Sequence, residues 1–319
     1  FFWKKMSRVT KTGLHLGITP WDLNSVTADK ICEQAVFAEQ LGYDSFWLPE
    51  NHFGEHALPE PLMLLASVAG ATEKIKLATT SYLLTIKNPL QAAEQVSVLD
   101  QLSNGRVILG VGRGYAPEML NAFGVPIKEK RRIFAWTLDI MRNAWAGEKV
   151  TLDENHEAVF IFPRPIQKTG PPIWIAAFGP KALGQAGKLG LPYLASPIES
   201  LSALKNNYAM HAEAMKDEGL TASKIVPVMR SIFISDNAKE IATLKEKLSK
   251  RIEKAYLSKN ENVDDCTILG CADEVAEKIE HYIDQLGMTH LIATRLRISG
   301  LAKKSLKASL ESLAGLRLK

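Results

Sequence analysis

The stretch Leu41-Gly42-Tyr43-Asp44-Ser45-Phe46-Trp47-Leu48 decides the fold. Before it, Ile31, Ala35, Ala38 and Leu41 recur at helical spacing, with Lys30, Glu33 and Gln34 on the other face. Gly42 supplies the left-handed cap that ends the helix. The apolar run that follows does not alternate, which reads as a strand buried on both faces of a parallel sheet. The same grammar returns at Leu189-Gly190-Leu191-Pro192-Tyr193-Leu194 and at Leu286-Gly287-Met288-Thr289-His290-Leu291.

Working outward, apolar strand-like runs fall at 13–18, 44–48, 75–81, 106–111, 172–177, 191–196, 225–234 and 289–294. Helical patterns follow them at about 28–41, 59–71, 89–103, 129–146, 181–189, 199–218, 237–258, 272–286 and 300–315. A strand-then-helix unit repeated eight times, with no break in composition, favours a (β/α)8 TIM barrel over an open doubly wound sheet. Residues 149–162 interrupt the rhythm after the fourth helix and read as a short β-hairpin insertion, with Asp153-Glu154-Asn155 at its turn. The domain expected is one barrel over 12–319, preceded by an N-terminal extension at 1–11 in which Met6 reads as the natural start.

The 319 residues are 46% hydrophobic and 23% charged, an ordinary globular composition that excludes disorder and collagen. Lys plus Arg number 39 against 35 Asp plus Glu, without a basic stripe, so no nucleic-acid partner is expected. No run approaches the ~18 apolar residues of a membrane span, and residues 1–8 lack a signal peptide's apolar core. Cys32, Cys266 and Cys271 have no zinc spacing and fit a reducing, cytoplasmic setting. Cys266 and Cys271 read as structural residues flanking a loop.

In such barrels the chemistry sits where strands hand over to helices. Those positions carry Thr19-Pro20-Trp21, Glu50-Asn51-His52-Phe53, Thr80-Ser81-Tyr82, Gly112-Arg113-Gly114-Tyr115, Phe178-Gly179-Pro180, Ser196 and Thr294-Arg295. No lysine is read there, against a Schiff-base enzyme. One prominent carboxylate, Glu50, argues against a metal-dependent enolase-type site and a glycosidase pair. What remains is aromatic, neutral-polar and cationic, which suits a large flat cofactor with a phosphate tail. Around Gly110-Val111-Gly112-Arg113-Gly114 two readings stay open. The glycines either bare the backbone to a ligand, with Arg113 offering a planar fork to phosphate, or allow close packing beside an exposed arginine. Glu129-Lys130-Arg131-Arg132 alone reads as a solvated face. Ala177-Phe178-Gly179-Pro180 reads as a plain turn or as an anion-binding helix start. His52 and His56 sit four apart but not on a helix, so no metal site is expected. Trp136, Met141 and Trp145, at helical spacing, read as core.

Taken together, Leu41 to Phe53, Asn88-Pro89-Leu90-Gln91-Ala92-Ala93-Glu94-Gln95, Leu99-Asp100-Gln101-Leu102-Ser103-Asn104-Gly105-Arg106 and Gly110 to Gly114 resemble the bacterial luciferase-like flavin monooxygenases. The resemblance covers about residues 12–200 and extends loosely to the end. It implies a (β/α)8 barrel with insertions, commonly dimeric, with the flavin across its C-terminal mouth. It implies that Arg113 and Arg131 hold the 5′-phosphate, helped by the backbone at Ala177, Phe178 and Gly179. Thr80-Ser81 falls where the family often has a non-prolyl cis peptide under the flavin ring, and Ser196 is implied to line that ring. Luciferase's catalytic subunit has Glu-His-His-Phe where this chain has Glu50-Asn51-His52-Phe53; its companion subunit has Glu-Asn-His-Phe. An amide cannot shuttle protons near pH 7, so Asn51 is expected to donate a hydrogen bond, beside Glu50 and His52. The implied activity is FMN-dependent monooxygenation by a two-component system. A flavin reductase supplies reduced FMN, and O2 and a small organic substrate complete the reaction. Deazaflavin-dependent hydride transfer and a non-catalytic flavin-binding partner subunit are the alternatives. A homodimer is expected through the apolar helices near 59–71 and 89–103.

Overall fold

A computed structural model of the chain describes residues 13–22, 27–55, 57–252, 261–296, 298 and 300–318. The extension read at 1–11 and His56 lie outside the described residues. In chain order the elements are β1 (His15–Ile18), α1 (Ala28–Leu41), β2 (Ser45–Leu48), α2 (Pro61–Ala71), β3 (Lys76–Thr79), β4 (Tyr82–Leu83), α3 (Pro89–Leu102), β5 (Val107–Gly112), α4 (Pro117–Ala122), α5 (Lys130–Ala146) and β6 (Ile173–Ala176). Then follow α6 (Pro180–Lys188), β7 (Tyr193–Leu194), α7 (Leu201–Asp217), β8 (Pro227–Ile234), α8 (Ala238–Ile252), α9 (Val263–Cys266), β9 (Thr267–Gly270), α10 (Ala272–Leu286), β10 (His290–Thr294) and α11 (Lys303–Ala314). The chain divides into two compact units: residues 1–22, 37–44 and 177–319, and residues 23–36 and 45–176.

In the second of these, β2, β3, β5 and β6 are parallel neighbours in that order, and β4 also pairs with β5. Leu48 stands opposite Thr79, and Val111 opposite both Tyr82 and Ile175. That register brings the ends of β2, β3 and β5, and with them Glu50, Thr80 and Arg113, to one edge. The strands are buried on both faces, as their unbroken apolar runs require. Phe46, Trp47, Leu48, Leu77 and Leu109 are sealed from water, and Trp47 meets Trp174 with ring centroids 5.0 Å apart.

Several motif residues prove structural. Asn88 caps α3, its side chain accepting from Leu90 and Gln91 N–H at 3.0 and 3.3 Å. Buried Asp100 anchors the proline-rich segment by accepting from the Gln167 backbone and side chain at 2.9 and 2.7 Å. Arg106 donates to the carbonyls of Ala69, Thr72, Ile75 and Ser103, tying the end of α2 and the loop after it to the start of β5.

In the first unit β1, β10, β8 and β9 are parallel neighbours in that order. Phe233, Ile241, Leu244, Leu248, Val263, Leu269 and Leu296 form one apolar cluster there.

All eight sequence-read strands are present, with ends shifted by one or two residues. The hairpin read at 149–162 is not: one antiparallel bridge, Val150 to Val159, closes the segment. Thr151 Oγ1 binds the carbonyl oxygens of Asp153 and His156, so side-chain ties hold the turn in place of a ladder. Cys266 and Cys271 flank β9, not a loop. Met141 and Trp145 are core, but Trp136 is 38% exposed. Among the described residues no helix is long and apolar enough to cross a membrane.

Candidate functional site

The C-terminal edge of the second unit's sheet gathers Glu50, Asn51, His52, Thr80, Ser81 and Arg113. β2 delivers Glu50 with its side chain wholly enclosed. Its Oε2 accepts the Leu83 N–H at 2.7 Å; its Oε1 lies 3.0 Å from His52 Nε2 and 2.9 Å from Lys87 Nζ. Burial pushes the Glu50 carboxyl above its ordinary range, while Lys87, the Leu83 N–H and His52 pull it back. His52 is nearly enclosed and meets Phe123 edge-on with centroids 4.8 Å apart. Phe53 adopts a left-handed φ of 64° and stacks on Phe123, an uncommon conformation for an aromatic residue. Asn51 turns its Oδ1 to the Leu58 N–H at 2.6 Å and closes the 51–58 loop, so only its amide N–H2 remains to donate outward.

Next to this corner lies a cleft of about 410 Å³ bounded by His52, Glu60, Lys87, Gln91, Gln95 and Phe123. Lys87 is the residue the sequence reading missed. No strand ends on it; it follows a single 3-10 turn after β4 and reaches back to Glu50. The available signal was the isolated Glu50 itself, since a buried carboxylate calls for a cation.

Past β3, the Thr80–Ser81 peptide is cis, as the resemblance implied. Thr80 N–H donates to Leu48 O at 2.8 Å, tying the bend to β2. Gly112 ends β5 directly against Ser81: a Cβ there would stand 2.2 Å from Ser81 Oγ. Thr85 Oγ1 donates to the Arg113 carbonyl at 2.8 Å and fixes that residue's backbone. The Arg113 guanidinium lies over Phe134 at 5.9 Å. Its pKa is lowered, first by burial and then by the like charge of Arg131 on α5. Guanidinium groups that share a positive field in this way favour an anionic ligand. The donor set fits the phosphate of a flavin or deazaflavin cofactor.

Ala177, Phe178, Gly179 and Ser196 belong to the first unit. Gly179, at φ 79°, is the N-cap of α6, and Pro180 occupies the first helical position as expected. Ala177 is buried and Phe178 is 66% exposed. Ser196 N–H donates to the enclosed Glu199 carboxylate at 2.7 Å. Among the described residues no group of three or more His, Cys, Asp or Glu could hold a metal ion.

The sequence profile of the luciferase-like monooxygenases matches residues 12–290. The chain belongs to that family. It is a family of oxidoreductase enzymes. The chain is 28% identical over 204 residues to the alkanal monooxygenase alpha chain of the Kryptophanaron alfredi symbiont, covering 63% of this chain and 57% of that one. It is 29% identical over 297 residues to the F420-dependent glucose-6-phosphate dehydrogenase of Kineococcus radiotolerans, covering 82% and 86%. The fold is shared with the oxygenating constituent of 3,6-diketocamphane monooxygenase from Pseudomonas putida, solved in complex with FMN. That match has a TM-score of 0.79 and 20% identity, over 95% of this chain and 97% of that one. Matches to the first curated relatives span 57–61% of their length.

Proposed function

We propose that the chain is an FMN-dependent oxidoreductase, a two-component monooxygenase that takes reduced FMN from a separate reductase and acts with O2 on a small organic substrate. The observation that carries this reading is Arg113, just past the end of β5, its backbone carbonyl held by Thr85 and its guanidinium over Phe134, with the like charge of Arg131 acting on it. A phosphate monoester carries close to two negative charges, which two guanidinium forks match; a phosphodiester carries one. Reduced FMN supplies the two-electron chemistry with O2 when bound, and the protein orients it and excludes water.

Arg113 and Arg131 hold the phosphate. Thr80 and Ser81 support the ring, with Gly112 clearing the space that Ser81 needs. Ala177, Phe178, Gly179 and Ser196 keep the roles that the resemblance implies. Glu50 stays buried as the partner of His52, whose imidazole can hold or pass a proton at Nδ1. Asn51 offers an N–H donor but no titratable group.

The second reading, hydride transfer with a deazaflavin, is favoured by the likeness to the F420-dependent dehydrogenase along most of both chains. Anaerobic titration with reduced FMN and with coenzyme F420, followed by O2 consumption by the isolated chain, tests both. Binding of reduced FMN with coupled O2 uptake upholds the proposal. Binding of the deazaflavin alone replaces it. Binding of FMN without turnover on any substrate offered points to a non-catalytic partner subunit.

A further inference from the structure

Lys87 does more than neutralise charge in general. Its Nζ lies 2.9 Å from Glu50 Oε1 and 3.1 Å from Glu60 Oε1, and 4.9 Å from the centre of the Tyr82 ring. Every partner of the Glu50 carboxylate is a donor: Lys87 and His52 at Oε1, the Leu83 N–H at Oε2. Of these, Lys87 brings the ammonium group. Among the described residues the other groups facing the pair are the Tyr82 phenol, whose hydroxyl donates to Gln95, and the Glu60 carboxylate, half exposed at the rim. Neither favours the ionised form of Glu50.

We propose that Lys87 is a positioning residue for the Glu50–His52 pair: its ammonium keeps Glu50 a carboxylate, and that carboxylate fixes His52 as the Nε2–H tautomer, with Nδ1 presented as the proton acceptor. A carboxylate can only accept, so the 3.0 Å contact requires His52 Nε2 to donate. A protonated Glu50 donates in the opposite direction, turning Nε2 into the acceptor and moving the ring proton to Nδ1. The charge at position 87 thus sets which imidazole nitrogen is basic. His52 and Lys87 both border the 410 Å³ cleft, whereas Glu50 is enclosed, so protons from water meet the imidazole first. The inference rests on the proposed function only for its effect on turnover.

The test is 15N-imidazole and 13C-carboxyl NMR of the whole chain, without added flavin, from about pH 5 to 8. The parent should show His52 protonated at Nε2 in its neutral form. In Lys87→Met, Glu50 should titrate at higher pH than in the parent and His52 should change to the Nδ1–H tautomer. Lys87→Arg should restore both parent signals. A folded Lys87→Met with the parent tautomer and the parent Glu50 titration overturns the proposal. Should Lys87→Met fail to fold, Glu60→Gln at the half-exposed rim decides. It leaves the Lys87 charge undivided on Glu50, which should then titrate lower, and an unchanged or higher titration overturns the proposal. An Nε2–H tautomer in a parent that does nothing with reduced FMN sinks the functional reading alone. An Nδ1–H tautomer in a parent active with FMN sinks this inference alone.

Discussion

Replacing Gly112 by alanine tests the local architecture most sharply. The added Cβ would stand 2.2 Å from Ser81 Oγ, 3.0 Å from Ser81 Cβ and 3.5 Å from Leu83 Cδ2. Carbon atoms rest about 3.5–4.0 Å apart, so the first two contacts are overlaps. The hydroxyl can swing to another χ1 rotamer, but Ser81 Cβ cannot, and a clash of about half an ångström must be taken up by the backbone. Overpacking of this kind costs roughly 1–3 kcal/mol. Alanine's smaller backbone entropy loss offsets about 0.5–1 kcal/mol of that. The net expectation for Gly112→Ala is a loss of about 1 kcal/mol, and at most about 2.5, read from urea denaturation midpoints. Ser81→Gly removes both overlapping atoms, so Gly112→Ala in that background should be neutral or mildly stabilising. In the Ser81 parent, displacement of this corner should weaken reduced FMN about tenfold, the equivalent of 1.4 kcal/mol. A Gly112→Ala protein with parental stability and FMN affinity refutes the close-approach argument. So does a penalty that persists in Ser81→Gly.

Asn51→Ala leaves the Leu58 N–H without its acceptor and should cost about 1 kcal/mol in urea unfolding. Asn51→His should fold and add a pH dependence of turnover between about 5 and 8 that the parent lacks at this position; flat profiles in both variants return Asn51 to a purely structural role. His290, stacked on His15 at 4.6 Å, is pulled down to about 4 by burial and by His15. The native state therefore binds fewer protons than the unfolded chain between that value and 6.5, and stability falls as pH drops through this window. Discounted for partial exposure, the loss is about 2 kcal/mol; His290→Gln should flatten the slope of urea midpoints over that range, and an unaltered slope excludes His290 as its source. Met63 on α2 and Leu102 on α3 are 72% and 59% exposed, and light scattering should give roughly 70 kDa, twice the chain mass of 35.2 kDa. Met63→Glu with Leu102→Glu should then give the monomer mass; a monomeric parent refutes the homodimer.

The parallel α/β pattern was legible because Gly42, Gly190 and Gly287 end helices and unbroken apolar runs begin strands. β9 was not. Its four residues, Thr267–Gly270, follow a one-turn helix and carry no periodicity longer than themselves. The 149–162 segment alternates as a strand does, yet a single bridge holds it, because alternation records faces and not partners. At the site, Glu50, His52 and Arg113 were legible from where strands end. Lys87 was not, since its part depends on a buried carboxylate 37 positions earlier in the chain. Arg131, read alone, looked like one charge in a solvated run; the resemblance singled it out, and its like charge helps lower the Arg113 pKa. Asn88, Asp100 and Arg106, conspicuous as motif letters, turn out to be a cap, an anchor and a tie.

The most direct test of the account is the affinity of reduced FMN for the parent and for Arg113→Ala, measured by anaerobic calorimetric titration. Removing one charge-assisted phosphate contact costs about 1.5–3 kcal/mol, so the variant should bind roughly 10- to 150-fold more weakly while remaining folded. Equal affinity in the two proteins, or no binding of reduced FMN by the parent, would contradict the assignment of this site to a flavin phosphate.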